Sequence, residues 1–401
     1  MSGAPESWRR FLAGCVLACA VLTPLAARAQ TVAADVPFRL IDNRVFVSAT
    51  LNGKGPFQML LDTGADSGGI SLKVMQAIGA KVQGRDSATG AGEKSDPVVK
   101  THIASLRIGR AEWRDLPAIA MNYGALNDVI GFTSFDGVAG QEIFRRYVVD
   151  IDFAASRLRL IEPKDYRAPR GAIAIPFRFY QGYMPLVDGR IAGVRGRFVV
   201  DLGDRSSLTL FGPFWRAHDL DNALSPTVEA LTGYGVGGPI RGLVVRVPRF
   251  SFGTAEARGI VARLSLQKSG GFADRKIAGS IGTGVLRHFH TIIDYAHSRF
   301  LLLPLPQTPD RFDRAGLWLG RHGAQFQVFD VVAGGPADVA GLRVGDVVTA
   351  IDRHSSESLD LFAVRETLRD PRTDDPLLID YVRHGRAGQA TIRLRDLLPG
   401  G

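Results

Sequence analysis

The sequence predicts a mainly β protein made of two like halves followed by a smaller third module. Three observations carry that prediction. Short apolar runs broken by Gly, Asn and Pro turns fill residues 36–306, the grammar of strands and hairpins and not of long helices. A strand that ends in an acid and a glycine occurs twice, at Phe57-Gln58-Met59-Leu60-Leu61-Asp62-Thr63-Gly64-Ala65 and at Phe198-Val199-Val200-Asp201-Leu202-Gly203. After the Pro-rich stretch Pro304-Leu305-Pro306-Gln307-Thr308-Pro309 the composition changes, which marks a linker.

In chain order, residues 1–29 read as a signal peptide. Arg9 and Arg10 precede an apolar run from Phe11 to Ala26, and Ala27-Arg28-Ala29 supplies an Ala-x-Ala cleavage site. The run is short for a bilayer span and Pro24 interrupts its end, so no stable membrane span is expected in the mature chain. Both cysteines, Cys15 and Cys19, fall inside this segment. A mature chain without cysteine has no disulfides, thiol catalysis or Cys-ligated metal, and it suits a periplasmic or secreted location. The net charge of +9 drops to about +7 once Glu6, Arg9, Arg10 and Arg28 leave, and it is spread without a Lys/Arg block. Nucleic acid is therefore not an expected partner.

The first half, 36–164, opens with the run Val45–Leu51, a hairpin turn at Asn52-Gly53-Lys54-Gly55, and the strand into Asp62. Ser71 to Ile78 has helical spacing and stops at Gly79, which predicts one short helix behind the acid turn. The second half, 170–306, repeats the landmarks at a constant offset of about 140 residues. Thr89-Gly90-Ala91-Gly92 is answered by Thr232-Gly233-Tyr234-Gly235, Gly137-Val138-Ala139-Gly140 by Gly279-Ser280-Ile281-Gly282, and Val148-Val149-Asp150 by Ile292-Ile293-Asp294. The glycine-rich run at 232–238 lacks the Lys-Ser/Thr of a phosphate loop. No pair among the eight histidines has zinc-protease spacing, so no metal and no cofactor are expected.

These paired motifs resemble the retropepsin-like aspartic proteases, in the bacterial form with two lobes and a PDZ domain. The resemblance implies two pseudo-symmetric acid-protease lobes, with Asp62 and Asp201 as the catalytic pair and Thr63, Gly64, Ala65 and Gly203 supporting the turns. Val138-Ala139-Gly140 and Ser280-Ile281-Gly282 fall on the segment that holds each turn from beneath, and Thr89–Pro97 on the mobile flap. Leu202 stands where the family has Thr or Ser, and Asp204 where it has Ala, Ser or Thr. Two consequences are expected: Thr63 loses a like partner across the interface, and Asp204 adds negative charge near Asp201.

The third module, 312–397, contains Gly334-Gly335-Pro336-Ala337-Asp338 and Ala340-Gly341-Leu342-Arg343-Val344-Gly345-Asp346, which resemble the PDZ domain of bacterial envelope proteases. That resemblance makes Gly316, Leu317, Trp318 and Leu319 the loop whose amides receive a peptide C-terminus, with Leu359 to Leu368 as the helical wall. The expected activity is hydrolysis of peptide bonds by a water activated between Asp62 and Asp201, on protein or peptide substrates. Two alternatives stay open: an inactive periplasmic peptide-binding scaffold, and a homodimer that pairs first lobes and leaves Asp201 idle.

Overall fold

The hairpin turn closes where Asn-Gly placed it. In the computed structural model, which describes residues 30–132 and 135–398, Asn52 and Gly53 have φ of 49° and 74°, the left-handed pair that a two-residue hairpin needs. The expected signal peptide lies outside the described residues. Strands Arg44–Leu51 and Lys54–Leu61 pair antiparallel across the turn, which aims the second strand and its terminal Asp62 inward. The short helix follows as Leu72–Ile78; the Ser71 hydroxyl accepts from the Val74 N–H at 3.0 Å, and Gly79 closes the end at φ 71°.

The fold is mainly β, as the residue pattern requires. Around each acid turn the pairing is the same. Lys54–Leu61 runs parallel to Gly137–Ala139, and Val194–Asp201 runs parallel to Gly279–Gly282. The strands after the turns, Gly68–Ser71 and Leu208–Leu210, lie antiparallel to those same supports and parallel to Ala111–Met121 and Ala255–Ser265. This correspondence is compatible with two pseudo-symmetric lobes. The halves also share a sheet: Phe289–Asp294 pairs with Val148–Asp152, with Thr291 opposite Ile151 and Ile293 opposite Val149. One apolar core containing Leu61, Phe144, Phe198, Leu202 and Phe289 runs through both halves.

The C-terminal module is a separate sheet in the order Leu317–His322, Gln325–Val331, Val347–Ile351, Leu377–Arg383, Arg386–Ile392, with its own core around Leu319, Phe326, Leu342 and Leu361. Its main helix spans Leu361–Arg369 and is capped by Asp360, whose carboxylate accepts from the Ala363 N–H at 2.8 Å. No helix among the described residues is long and apolar enough to cross a membrane.

Candidate active site

A strand that stops at Asp62 would leave a half-buried charge with nothing to share it, but the second turn faces the first. The Asp62 and Asp201 carboxyls are hydrogen-bonded to each other. Each is also held from its own turn, by the Gly64 N–H to Asp62 Oδ1 at 2.7 Å and by the Gly203 N–H to Asp201 Oδ1 at 2.8 Å. The glycines are required by the approach of the opposite turn. A Cβ on Gly64 would sit 2.7 Å from the Asp201 carboxyl carbon, and one on Gly203 2.5 Å from Asp62 Oδ2. The supports press from below in the same way in both halves: Gln141 N–H to Ala65 O at 3.1 Å, and Thr283 N–H to Asp204 O at 2.9 Å.

Burial raises both carboxyls above their ordinary value. Asp201 goes well above it, because burial is joined by the facing Asp62 charge and by Asp204; Asp62 is pulled back by the bond from Asp201, by the Gly64 amide and by Arg44. Two carboxyls in contact cannot both ionise cheaply, so the arrangement favours one shared proton on the pair.

The structure adds a partner to each of the two expectations about the second turn. Thr63 does lose a like side-chain partner at Leu202, yet its hydroxyl still crosses the interface. It donates to Val200 O at 2.8 Å and accepts from the Leu202 N–H at 3.0 Å, so main chain does the work of the missing hydroxyl. The Leu202 side chain is fully buried in the common core. Thr63→Val keeps shape but leaves a buried N–H and a buried C=O unpaired, and should cost about 2–4 kcal/mol in a urea titration. Asp204 is likewise not a free charge. It is 6 % exposed and pairs with Arg263, 4 % exposed, at 2.8 Å, while the Thr209 hydroxyl and the Ser206 amide donate to its two oxygens.

Beside the turns lies a cluster that no motif announced. Asp42 and Arg44, in the tight turn before Arg44–Leu51, meet Arg205 of the second half. Arg205 grips Asp42 with two bonds of 2.5 and 2.7 Å, and Arg44 adds one of 2.7 Å while its Nε donates to Gly203 O at 3.3 Å. Burial alone would raise Asp42, but the two guanidiniums outweigh it and hold the carboxyl below its usual range. No sequence signal pointed to it, because Asp42 and Arg44 stand well before the Asp62 turn and their partner Arg205 is 163 residues beyond Asp42.

The stretch read as a flap is a hairpin, Gly84–Thr89 with Ser95–Ile108, whose tip meets the glycine-rich hairpin of the second half. Gly92 N–H donates to Val236 O at 2.9 Å, Lys94 N–H to Gly237 O at 3.0 Å, and Gly237 N–H to Asp96 Oδ2 at 2.8 Å. Among the described residues no group of three His, Cys, Asp or Glu could hold a metal ion.

Leu317, Trp318 and Leu319, with Gly316 just before them, do form the start of an edge strand facing the helix Leu361–Arg369, but three of the four are engaged from within. The Leu317 N–H donates to Asp313 Oδ1 at 3.0 Å, and the Gly316 and Ala315 amides also stabilise that carboxylate. Trp318 Nε1 donates to Val129 O at 2.7 Å, in the first half.

Residues 47–134 match the family model described as aspartyl protease, and residues 327–378 match that described as PDZ domain. The first match takes in the Asp62 turn and ends before the second half begins. A search of curated proteins returns no match to the chain. With the mainly β fold, these matches show an aspartyl protease-like domain in the first half and a PDZ domain in the C-terminal module.

Proposed function

We propose that the protein is an aspartic endopeptidase in which Asp62 and Asp201 of one chain activate a water, and that its PDZ domain binds peptide C-termini. The observation that carries the reading is the mutual bond between the two carboxyls, each packed on the glycine of the other turn. Asp201, raised further, holds the shared proton and acts as acid. Asp62, stabilised by the Gly64 amide and Arg44, acts as base and takes a proton from the water as its oxygen attacks the scissile carbonyl. The proton on Asp201 hydrogen-bonds the developing oxyanion, and Asp62 passes the proton it took from the water to the leaving nitrogen as the C–N bond breaks, which returns the pair to its single proton. Location in a periplasm or outside the cell belongs to the same reading and rests on the N-terminal segment.

Cleavage of a peptide library, with and without a statine-type inhibitor that mimics the tetrahedral centre, tests it. Turnover requires one proton on the pair: acid that protonates both removes the base, and alkali that ionises both removes the acid. Because burial and the facing charges raise the pair, the rate should peak on the order of pH 4 to 6 and fall on both sides. A rate still climbing below about pH 3 contradicts the assignment. Absence of cleavage at every pH would favour the scaffold alternative.

A further inference from the structure

The PDZ groove is already filled by the chain itself. The helix Gly124–Ile130 of the first half ends against it, and a helix C-terminus carries carbonyls with no partner of their own. Here the PDZ domain supplies the donors. Trp318 Nε1 takes Val129 O, Arg365 Nη1 takes Ile130 O at 2.7 Å, and Arg321 Nε takes Gly131 O at 3.0 Å. The fit is close: a Cβ on Gly320 of the edge strand would lie 2.4 Å from Asp128 O, and one on Gly131 2.2 Å from Leu361 Cδ2. Phe132 packs on Phe362 with ring centroids 5.8 Å apart. Segment 128–132 therefore lies between edge strand and helix, where a peptide would add.

The end of the groove nearest the loop is different. A cavity of about 300 Å³ opens there, bounded by Gly316, Leu317, Arg365 and Arg369, by the acids Asp313, Asp330 and Glu366, and, from the second half, by Arg205 and Arg263, which are already paired with Asp42 and Asp204. Arg365 is 5 % exposed, is bonded to carbonyls, and makes no ion pair among the described residues. Within the chain the Leu317 amide already holds the Asp313 carboxyl at 3.0 Å, although burial pushes that carboxyl up to about 6. The space, the charge and the amides suit a terminal carboxylate with a side chain beside it.

The same docking clamps the glycine-rich hairpin. Asp330, on the PDZ strand Gln325–Val331, accepts from the Leu231 N–H and pairs with Arg241 at 2.8 Å, one residue on each strand of that hairpin. Trp318 lies under Arg205, 5.3 Å from ring centre to guanidinium carbon, and Arg205 bonds Thr232 O at 3.3 Å. Tyr234 and Val236, at the hairpin tip, pack in one cluster with Phe132, Trp318 and Phe362.

We propose that segment 128–132 is an internal ligand of the PDZ groove, and that a peptide with a free C-terminal carboxylate displaces it, takes over the amides held by Asp313, and frees the 228–241 hairpin to admit substrate. The step from displacement to faster cleavage rests on the protease reading; the displacement itself does not.

The test uses the full mature chain and a ten-residue peptide ending in leucine, as free acid and as amide, with Phe132→Ala and Arg321→Ala as variants that weaken the internal ligand from either side. If a closed groove taxes the affinity, the free acid should bind the Phe132→Ala variant about tenfold tighter than wild type, and Arg321→Ala in the same direction. The amide should bind neither. Hydrogen exchange at 124–132 and 228–241 should quicken when the free acid is added, and cleavage of a separate, C-terminally blocked reporter should rise severalfold. Equal affinity in wild type and Arg321→Ala, or binding that leaves exchange at 124–132 unchanged, overturns the internal ligand. Faster exchange without faster cleavage, in an enzyme that does cleave the reporter, overturns the clamp. If no version cleaves while binding and exchange respond as described, the internal ligand stands and the endopeptidase reading falls.

Discussion

Asp62→Asn and Asp201→Asn, made separately, are each expected to lower turnover at least about a thousandfold, since neither carboxyl alone can supply both base and acid. The assay belongs at a concentration where light scattering shows a monomer. Both residues come from one chain and touch each other, so a first-lobe dimer has no need of Asp201; if Asp201→Asn kept wild-type rates while Asp62→Asn was dead, the intrachain pair would be refuted. A second readout needs no activity. A carboxyl whose folded value is raised stabilises the fold below its unfolded value and loses that contribution as pH rises through the folded value. Asp201 is raised well above the ordinary carboxyl by burial and by Asp62, so wild type should lose stability from acid toward neutral pH. Asp201→Asn should flatten that decline and melt higher than wild type at pH 7.

How much of this was legible follows from what the residues do locally. The Asn52-Gly53 hairpin, the Ser71-capped helix and the glycines of the acid turns were readable because each is fixed by the backbone needs of a few neighbouring residues. The pairing of the turns was readable only through repetition. What escaped was everything set by distant partners: Arg263 beneath Asp204, Arg205 on Asp42, and main chain standing in for the hydroxyl missing at Leu202. A lone Arg on a strand carries no sign of the acid it will meet. Motif comparison flagged Leu202 and Asp204 as departures but could not show that the fold had absorbed both.

The PDZ domain shows the same limit from the other side. Gly316 to Leu319 resemble a carboxylate-binding loop, yet the motif did not show that the neighbouring Asp313 would take the Leu317 amide or that a helix end about 190 residues earlier would pack against Trp318. A binding motif records which groups can be offered to a ligand. Occupancy depends on how domains pack, and that depends on the shape of both surfaces.

Arg263→Met is expected to destabilise the protein by about 3–5 kcal/mol at pH 7, because it leaves Asp204 charged, buried and without its cation. Part of that loss comes from the bonds Arg263 makes to Thr209 Oγ1 and Thr232 O, and from its guanidinium over the Phe272 ring at 4.8 Å. The double variant Arg263→Met/Asp204→Leu gives up those bonds too, yet it removes the unpaired charge and should recover most of the stability, so the difference between single and double variants reports the charge itself. The activity profile supplies an independent check on the same geometry. Asp204 already helps raise Asp201, and without Arg263 its field on Asp201 is no longer countered. In the single variant the alkaline limb of the rate profile should therefore move to higher pH, and in the double variant it should return toward or below the wild-type position. Equal urea midpoints for single and double variants at pH 7, with coincident alkaline limbs, would mean that Asp204 carries no charge in the folded protein and that the ion pair beneath the second turn has been misread.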